Sequence, residues 1–422
     1  MREMKDSGVE WIGEIPVDWE LSKIGSVYDE RNEKVSDKDF APLSVTKQGI
    51  VPQLETAAKT DNGDNRKLIR KDDFVINSRS DRRGSCGISE YEGSCSLINT
   101  VLKPQTNMCN RYYGFVFKSD SFADEYYRWG HGIVDDLWST KWIDMKSIYI
   151  PAPDIAEQER IADYLDVKCS KIDEIIEKQQ AIIEKLREYK LSIITEIVTK
   201  GLKHNVKMKD SGVRFVDTIP YDWENRKMIT ILSTRVVDGP HESPELYDRG
   251  IPYISATAIV NGKIDFSLMR GYISKEYCEI CDKRYSPQRG DLLVVKLGAS
   301  TGQVAIVDTD ERFNIWVPLA AVRCNDEALP KFVYYAFQSD YFVRQMELSW
   351  TFGTQQTLGV QTIEKLRILL PPIAEQRKIV KFLDTIYDYI GSKIEKVEKM
   401  IEKLEEYKKS LIYEVVTGKK EV

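Results

Sequence analysis

The feature that most constrains the fold of this 422-residue chain is an internal repeat. The segment MKDSGVEWIGEIPVDWE at 4–20 returns as MKDSGVRFVDTIPYDWE at 208–224, in the same register and with most positions identical. A second repeated segment begins IAEQ at Ile155 and again at Ile373. A chain that contains one unit twice is expected to fold as two similar halves.

Each half is predicted to contain one globular body followed by one long helical arm. The predicted boundaries are a first body at 1–152, a first arm at 153–203, a second body at 204–370 and a second arm at 371–422. The arms match each other well, whereas the bodies match poorly. The two halves have therefore kept a common frame while their bodies diverged.

The arms are predicted to be long helices because their apolar residues recur at alternating spacings of four and three. Gln179 takes one position of this seam, and Lys190 and Lys408 interrupt it. A lone helix of this kind cannot bury its stripe, so the arms are expected to pair as an antiparallel coiled coil about a pseudo-two-fold axis. The alternative is that each arm packs on its own body. The seam consists of Ile172, Ile176, Ile183, Leu186, Ile193, Ile197, Ile390, Ile394, Ile401, Leu404, Leu411 and Val415.

The bodies are predicted to be mixed α/β (α+β) domains. DDFVIN, GDLLVVK, GQVAIVD and WVPLAAVRC have the Val- and Ile-rich composition of buried strands bounded by Gly or Asp. Amphipathic helices are expected over 330–346 and around 111–128, and YYGFVFKSDSF aligns with YYAFQSDYF if two residues are dropped.

The signatures that end at Trp19 and Trp223 are interpreted as framework. The second signature follows the first arm, which ends near Gly201, so the symmetry places the first signature beside the end of the second arm, near Gly418. Trp19 and Trp223 are thus expected to pack where an arm meets a body. The two chain termini are expected to be neighbours.

The sequence offers no convincing catalytic site. It lacks a GxxxxGK[ST] phosphate loop and a GxGxxG motif, and it has three histidines. Cys278 and Cys281 form a CxxC without a second pair, so free thiols are expected and a metal is not. No apolar run reaches about 18 residues, and the N-terminus has no apolar signal core, so a cytoplasmic protein without a membrane partner is expected.

The net charge of −6 does not by itself predict nucleic-acid binding, but basic residues are locally concentrated. The stretch 66–83 holds seven basic and three acidic residues, and its arginines follow a predicted strand. Arginine can bind a guanine edge or a phosphate. The alternatives are a solvated charge cluster, and a core position for Trp138 and Trp142. The candidate DNA-contacting residues of the first half are Lys47, Gln48, Arg79, Ser80, Arg82, Arg83, Thr140, Lys141 and Trp142.

In the second half the corresponding loop, VKLGASTG at 295–302, is less basic. DGPHES at 238–243 is a further polar loop or simply a turn, and FGTQQT at 352–357 is paired with LWSTKW at 137–142 as its counterpart. Glutamine is a natural reader of adenine. The candidate DNA-contacting residues of this half are His241, Glu242, Lys296, Ser300, Thr301, Thr354, Gln355 and Gln356.

These segments give the chain a family resemblance. IPVDWE, IPYDWE, DGPHESPELYDRGIPYISATAIVNGKIDF, GDLLVVKLGASTGQVAIV, GTQQTL and both IAEQ arm starts resemble the specificity subunit of Type I restriction-modification enzymes. The resemblance covers essentially the whole chain. It is weaker in the first half, where SRSDRRGSCGIS and LWSTKW depart from the pattern.

The resemblance implies that each body is a target recognition domain for one half of a split double-stranded DNA sequence. It also implies that the arms set the spacing and bind two methyltransferase subunits, and that restriction subunits join them. S-adenosylmethionine, ATP and magnesium would then belong to the partner subunits, with no cofactor in this chain. The alternatives are a self-sufficient DNA-modifying enzyme with an unrecognised active site, and a coiled-coil adaptor without a DNA role.

Overall fold

The computed structural model describes residues 2–54, 63–132, 138–352 and 356–422. The chain forms two compact units. Unit 1 comprises Met1–Gln180 together with Glu398–Val422, and unit 2 comprises Ala181–Val397. No helix in the described part of the chain is both long enough and apolar enough to cross a bilayer.

The described part of the body of unit 1 is built from short strands and three α-helices. Its strands are β1 (Met4–Asp6), β2 (Glu14–Pro16), β3 (Glu20–Lys23), β4 (Tyr28–Glu30), β5 (Lys34–Val35), β6 (Leu43–Thr46), β7 (Gly49–Pro52), β8 (Arg66–Ile69), β9 (Phe74–Asn77), β10 (Cys86–Ile88), β11 (Gly93–Cys95), β12 (Asn99–Pro104) and β13 (Tyr149–Ala152). Its helices are α1 (Asn110–Lys118), α2 (Asp120–Arg128) and α3 (Trp142–Met145), and the arm α4 (Ile155–Lys200) follows.

The central sheet of unit 1 has the strand order β10–β9–β12–β4 and is antiparallel. A second sheet has the order β11–β8–β5, β1 pairs with β2, β6 pairs with β7, and β3 pairs with β13. The predicted strand β9 is buried along its whole length, and its first three residues are apolar because both of its faces are covered. Phe74 and Ile76 contact the core that contains Phe117, whereas Val75 packs with Ile69 in a second cluster.

Unit 2 contains the strands β14 (Met208–Val213), β15 (Val216–Pro220), β16 (Glu224–Lys227), β17 (Val237–Asp238), β18 (Ile251–Ile254), β19 (Ile259–Val260), β20 (Lys263–Ile264), β21 (Gly271–Ile273), β22 (Leu292–Val295), β23 (Val304–Ile306), β24 (Asn314–Ile315), β25 (Leu319–Val322), β26 (Thr351–Phe352), β27 (Gln356–Thr357) and β28 (Arg367–Leu370). Its helices are α5 (Lys275–Asp282), α6 (Pro330–Gln338), α7 (Asp340–Leu348) and α8 (Val360–Lys365), followed by the arm α9 (Ile373–Val416).

The central sheets of the two units are equivalent strand by strand. The order β23–β22–β25–β17 in unit 2 repeats β10–β9–β12–β4 in unit 1. The second sheets differ, because β18 pairs parallel with β24, whereas β8 pairs antiparallel with β11 and β5. The central sheet is thus duplicated in the two bodies, and the second sheets have diverged.

The predicted single helix over 330–346 is wrong. It is two nine-residue helices, α6 and α7, separated at Ser339, whose backbone is extended. Ser119 separates α1 from α2 in the same way, and its hydroxyl accepts a hydrogen bond from the Phe122 N–H at 3.3 Å. The two helix pairs therefore align without a gap, and the predicted two-residue deletion is also wrong.

The arms are single helices of 46 and 44 residues. In unit 2, Lys190 lies 3.2 Å from the Tyr387 ring centre, and Gly201 lies close to Glu375. The partners of successive α4 residues thus run backwards along α9, so the segments are antiparallel. The same holds in unit 1, where the Lys408 ammonium donates to Asp173 at 2.6 Å. The predicted antiparallel two-helix coiled coil is confirmed.

The predicted seam positions follow the least exposed side of both arms. Between 170 and 192, the side chains of α4 that are not exposed are Ile172, Ile176, Gln179, Ile183, Leu186 and Lys190. Between 388 and 410, those of α9 are Ile390, Ile394, Val397, Ile401, Leu404 and Lys408. Further along, Ile193, Ile197, Leu411 and Val415 join the cores of the bodies.

The segments that begin and end the chain meet in unit 1. Gly418, with φ of 72°, follows the end of α9, and a Cβ at this position would collide with Pro16 and lie 3.1 Å from Trp19. Lys419 donates to the Ile12 carbonyl oxygen at 2.8 Å. In unit 2, Gly201 holds the equivalent place beside Trp223.

Candidate nucleic-acid interface

Two polar loops of unit 2 lie side by side at one end of the central sheet. Leu297 and Thr357 form an antiparallel bridge, and the Gly298 N–H donates to the Gln356 carbonyl oxygen at 3.2 Å. The Leu358 N–H donates to the Lys296 carbonyl oxygen at 2.8 Å. The loop that follows β22 is therefore fixed to the hairpin formed by β26 and β27.

Unit 1 repeats this pair of loops 218 residues earlier in the sequence. Arg79 and Ser139 form the equivalent bridge, and the Thr140 N–H donates to the Ser78 carbonyl oxygen at 3.0 Å. The counterpart of LWSTKW is consequently QQTLGV at 355–360, so the predicted pairing with 352–357 is wrong by three residues.

This alignment changes the role of Thr140. Thr140 is fully buried, and its hydroxyl donates to the Tyr126 carbonyl oxygen at 2.7 Å. Its hydroxyl therefore faces the core and not the surface, and the DNA contact predicted for its side chain stays a prediction. Lys141 is exposed, whereas Trp142 starts α3 and packs partly against the core of unit 1. Trp138 donates to the Tyr127 carbonyl oxygen at 2.8 Å.

The arginines after β9 differ in their exposure and in their ion pairs. Arg79 is half-buried in the bridge to Ser139, and Ser80 begins the short helical turn that ends at Arg82. Arg83 pairs with Asp124 of α2 at 2.5 Å. The side chain of Arg82 is 67% exposed and lies 3.4 Å from its neighbour Asp81. Arg82 is therefore the arginine of this loop that is most open to a phosphate or a base.

The other candidates of unit 1 occupy a separate turn. Lys47 and Gln48 are exposed between β6 and β7. The Gln48 N–H donates to the Thr46 hydroxyl at 3.2 Å, which fixes the turn and leaves both long side chains in solvent.

In unit 2, a nearly buried carboxylate joins the loop that follows β17 to the loop that follows β22. Asp238, at the end of β17, pairs with Lys296 at 3.0 Å and with His241 at 3.3 Å. It also pairs with Arg284, which sequence reasoning missed because Arg284 lies 46 residues away and no local pattern marks it. We call Asp238, His241, Arg284 and Lys296 the Asp238 cluster.

The Asp238 cluster presents positive charge outward. The side chains of His241 and Arg284 are 70% and 52% exposed, whereas those of Asp238 and Lys296 are both 10% exposed. Burial alone would raise the pKa of Asp238, but the hydrogen bond from Lys296 and the nearby cations outweigh it, so the pKa is lowered. The carboxylate thus stays charged and holds the cations in place.

The remaining described candidates of unit 2 lie in the loop after β17, in the loop after β22 and in β27. Glu242 is exposed, Ser300 is half-buried, and the Thr301 hydroxyl donates to the Gly298 carbonyl oxygen at 2.6 Å. Thr301 thus shapes its own loop. Gln356 is half-buried in β27. Thr354 and Gln355 lie outside the described residues.

Within the described ranges, no three His, Cys, Asp or Glu side chains come together as a metal site. Cys278 and Cys281 are buried on α5, and burial raises the pKa of both thiols. Neither cysteine forms a disulfide.

Comparison with known proteins agrees with the duplicated architecture. A sequence profile of the Type I restriction modification DNA specificity domain matches residues 16–188 and again residues 220–406. This chain belongs to that family. Its predicted identity as a DNA specificity subunit, without catalysis of its own, is confirmed at the level of the family.

Individual members of the family resemble most of the chain. The chain is 23% identical to the Type I restriction enzyme MjaVIII specificity subunit of Methanocaldococcus jannaschii, over 96% of this chain and 93% of the relative. It is 24% identical to the EcoBI specificity subunit of Escherichia coli, over 65% of this chain and 59% of that protein. A solved chain from a study of the assembly of a type I R-M system has a TM-score of 0.68 at 14% identity, over 95% of this chain and 98% of that one, which supports the fold.

Subunits of this family bind DNA and act together with modification and restriction subunits, which carry the catalytic activities. The two family matches begin and end near the repeated segments, so each match contains one body and most of one arm. The family therefore accounts for both the repeat and the two sets of polar loops.

Proposed function

We propose that each body reads one half of a split double-stranded DNA sequence, so that the chain directs adenine methylation and restriction by its partner subunits. The observation that carries this proposal is the pair of loops that both units hold at the same place. The bridges at Arg79 and Ser139 in unit 1 and at Leu297 and Thr357 in unit 2 repeat the same backbone arrangement.

The side chains on this common backbone differ between the units. Unit 1 has Arg79 where unit 2 has Leu297, and Ser78 where unit 2 has Lys296. Sequence is read by side chains that meet base edges, whereas backbone contacts to DNA carry no sequence information. Equivalent scaffolds with different side chains are therefore what two readers of different half-sites require.

The arms are proposed to set the gap between the half-sites and to bind two methyltransferase subunits. Ile175, Ile182 and Tyr189 recur every seven residues on α4 and are 42%, 42% and 59% exposed. Met400 and Tyr407 of α9 are 50% and 51% exposed at the same spacing. A second apolar stripe beside the seam suits helices of partner chains.

The partner subunits would supply the chemistry. Methyltransferase subunits would carry S-adenosylmethionine, and restriction subunits would use ATP and magnesium. This chain would contribute the recognition of sequence, and its affinity for DNA would fall with salt because part of it comes from phosphate contacts.

An exchange of one body tests the proposal. Residues 21–150 are replaced by the corresponding segment of another family member, and methylated adenines are mapped in cells that also express the partner subunits. We expect one half-site to change and the other to remain. The matched exchange of residues 225–368 should change the other half-site.

Three outcomes would contradict the proposal. An unchanged specificity in both exchanges would separate the bodies from recognition. Methylation or cleavage by the purified chain alone would indicate a self-sufficient enzyme. An assembled complex that shifts no DNA would indicate an adaptor without a DNA role.

A further inference from the structure

Among the arginines of the described residues that lie over an aromatic ring, Arg270 of unit 2 has the shortest distance to the ring centre. The guanidinium carbon of Arg270 lies 3.2 Å from the ring centre of Trp316. Arg270 directly precedes β21, and its backbone N–H donates to the Tyr253 carbonyl oxygen at 3.0 Å, which fixes the residue at the base of its side chain.

The guanidinium of Arg270 has no carboxylate partner in the part of the chain that the structure describes. Other arginines of the same body are neutralised: Arg312 pairs with Asp282 at 2.7 Å, and Arg323 pairs with Asp291 at 2.7 Å. The N–H donors of Arg270 are therefore available to an outside acceptor.

The backbone of Trp316 adjoins the loop that begins at Asp238. Gly239, the next residue after Asp238, lies so close to Ile315 and Trp316 that a Cβ at this position would collide with their backbones. The absence of a side chain at Gly239 thus lets the Asp238 loop lie against the backbone of Ile315 and Trp316. The Lys296 N–H donates to the carbonyl oxygen of Pro318, two residues after Trp316, at 2.8 Å, so Lys296 is held to the same segment.

Stacking on an aromatic ring determines which acceptors the guanidinium of an arginine can bind. An indole face holds the guanidinium in one plane, which reduces the rotamer entropy lost on binding, and the in-plane donors remain free. Two parallel N–H donors match the O6 and N7 acceptors of guanine in the major groove. Phosphate binding needs only charge, which Arg284 of the Asp238 cluster already presents.

We propose that Arg270, held on Trp316, is a specificity-determining residue that reads a guanine in the half-site bound by unit 2. This proposal rests on the proposed function of the chain. Arg284 contacts the phosphates beside that guanine. Sequence reasoning missed Arg270 because 46 residues separate it from Trp316 and no motif links them.

Unit 1 provides an internal control. The Leu319 N–H donates to the Trp316 carbonyl oxygen at 2.9 Å, and the equivalent Asn99 N–H donates to the Ser96 carbonyl oxygen at 3.0 Å. Ser96 therefore occupies the position of Trp316 and offers no ring for stacking. Substitution of Arg270 should alter only the half-site of unit 2.

The test uses the full chain assembled with its methyltransferase partners and a DNA library randomised over both half-sites. Arg270→Lys keeps the charge and removes the fork, and Arg270→Ala removes both. Each should lower the preference for guanine at one position of one half-site by about 5- to 150-fold. The preferences at the other half-site should stay as in the unaltered chain.

Arg284→Ala is the matched control for a phosphate contact. It should weaken all sequences alike and reduce the slope of log affinity against log salt by about one unit. If Arg270→Lys keeps the full guanine preference, or if both Arg270 variants weaken all sequences uniformly, the proposal is overturned. If the unaltered complex shows no preference for a split sequence, the proposed function itself fails.

Discussion

The indole Nε1 of Trp19 donates a 2.9 Å hydrogen bond to the carboxylate of Glu157, 138 residues away in the sequence. The other contacts of Glu157 include Arg2, which also pairs with Asp18. The first signature is thereby tied to the first turn of α4 through a nearly buried carboxylate.

The equivalent site in unit 2 lacks this cation. Val206 stands in the place of Arg2, and the Trp223 Nε1 is buried without an acceptor in the described part of the chain. A crevice of about 320 Å³ remains there, and Lys203 and Glu375 are among its lining residues. The two signatures are thus alike in sequence and unequal in their polar contacts.

The first prediction concerns Arg2. Arg2→Ala removes the cation that joins Glu157 to Asp18 and leaves the largely buried Glu157 carboxylate with Arg160 as its remaining cation, so the free energy of unfolding of unit 1 should fall by about 1–3 kcal/mol. Val206→Ala should change that of unit 2 by less than about 1 kcal/mol. Residue-resolved hydrogen exchange of the full chain measures both; equal effects around Trp19 and Trp223 would contradict the role of Arg2.

The second prediction contrasts two glycines. Gly418→Ala places a side chain in the left-handed region and against Pro16, so it should cost at least about 1–2 kcal/mol of stability. Gly391 lies inside α9, and no neighbouring atom comes within 4 Å of the place that an added methyl group would take, so Gly391→Ala should stabilise by up to about 1 kcal/mol. Thermal unfolding of the two variants should therefore shift in opposite directions, and shifts of the same sign would contradict the packing at Gly418.

The third prediction is a pH dependence. The pKa of Asp238 is lowered below its ordinary value of 3.8 in the folded chain, so folding favours the charged carboxylate. Its stabilising contribution is present above pH 3.8 and is lost as the pH falls through the lowered pKa. Urea unfolding of the chain and of Asp238→Asn should differ by a constant amount near neutral pH, and the difference should shrink below pH 3.8. A difference that grows with acid would contradict the charged state of Asp238.

The fourth prediction concerns the arms. Insertion of seven residues into both α4 and α9 preserves the seam and adds about 10 Å to each helix. The unread gap in the DNA should then lengthen by about three base pairs, at about 3.4 Å per base pair. Methylome mapping measures the gap. Insertion of two residues turns the seam by about 200°, at about 100° per residue, and should impair assembly. An unchanged gap after the seven-residue insertion would rule out the spacing role.

The sequence predicts those parts of the fold that follow from periodicity. The seam residues Ile172 and Ile390 could be placed because a coiled coil repeats every seven residues along one helix. The strand that contains Phe74 could be placed because a strand covered on both faces has a continuous apolar run, here Phe74–Ile76. The break at Ser339 was missed because the apolar pattern continues across it, although Ser-Asp is also a helix-start signal.

The interface was harder to predict because its contacts join distant parts of the chain. Exposed loop residues such as Lys47 and Arg82 follow from local composition. Thr140 has the same polar character, but its hydroxyl donates a hydrogen bond inside the core, to the Tyr126 carbonyl oxygen. Arg284 reaches Asp238 only through the tertiary fold, so a single sequence carries no signal for it.

Unit 1 is formed by two separate stretches of chain, and this determines the order in which the two units can complete their folding during synthesis. The core of unit 1 includes Leu411 and Val415, and the Tyr112 hydroxyl donates to the Val416 carbonyl oxygen at 2.9 Å. Unit 2 is continuous in the sequence, so the ribosome delivers all of it before the last turns of α9. The body that is translated first is therefore the one whose core is completed last, and a nascent chain stopped at Val397 would hold a finished second body beside an open first one.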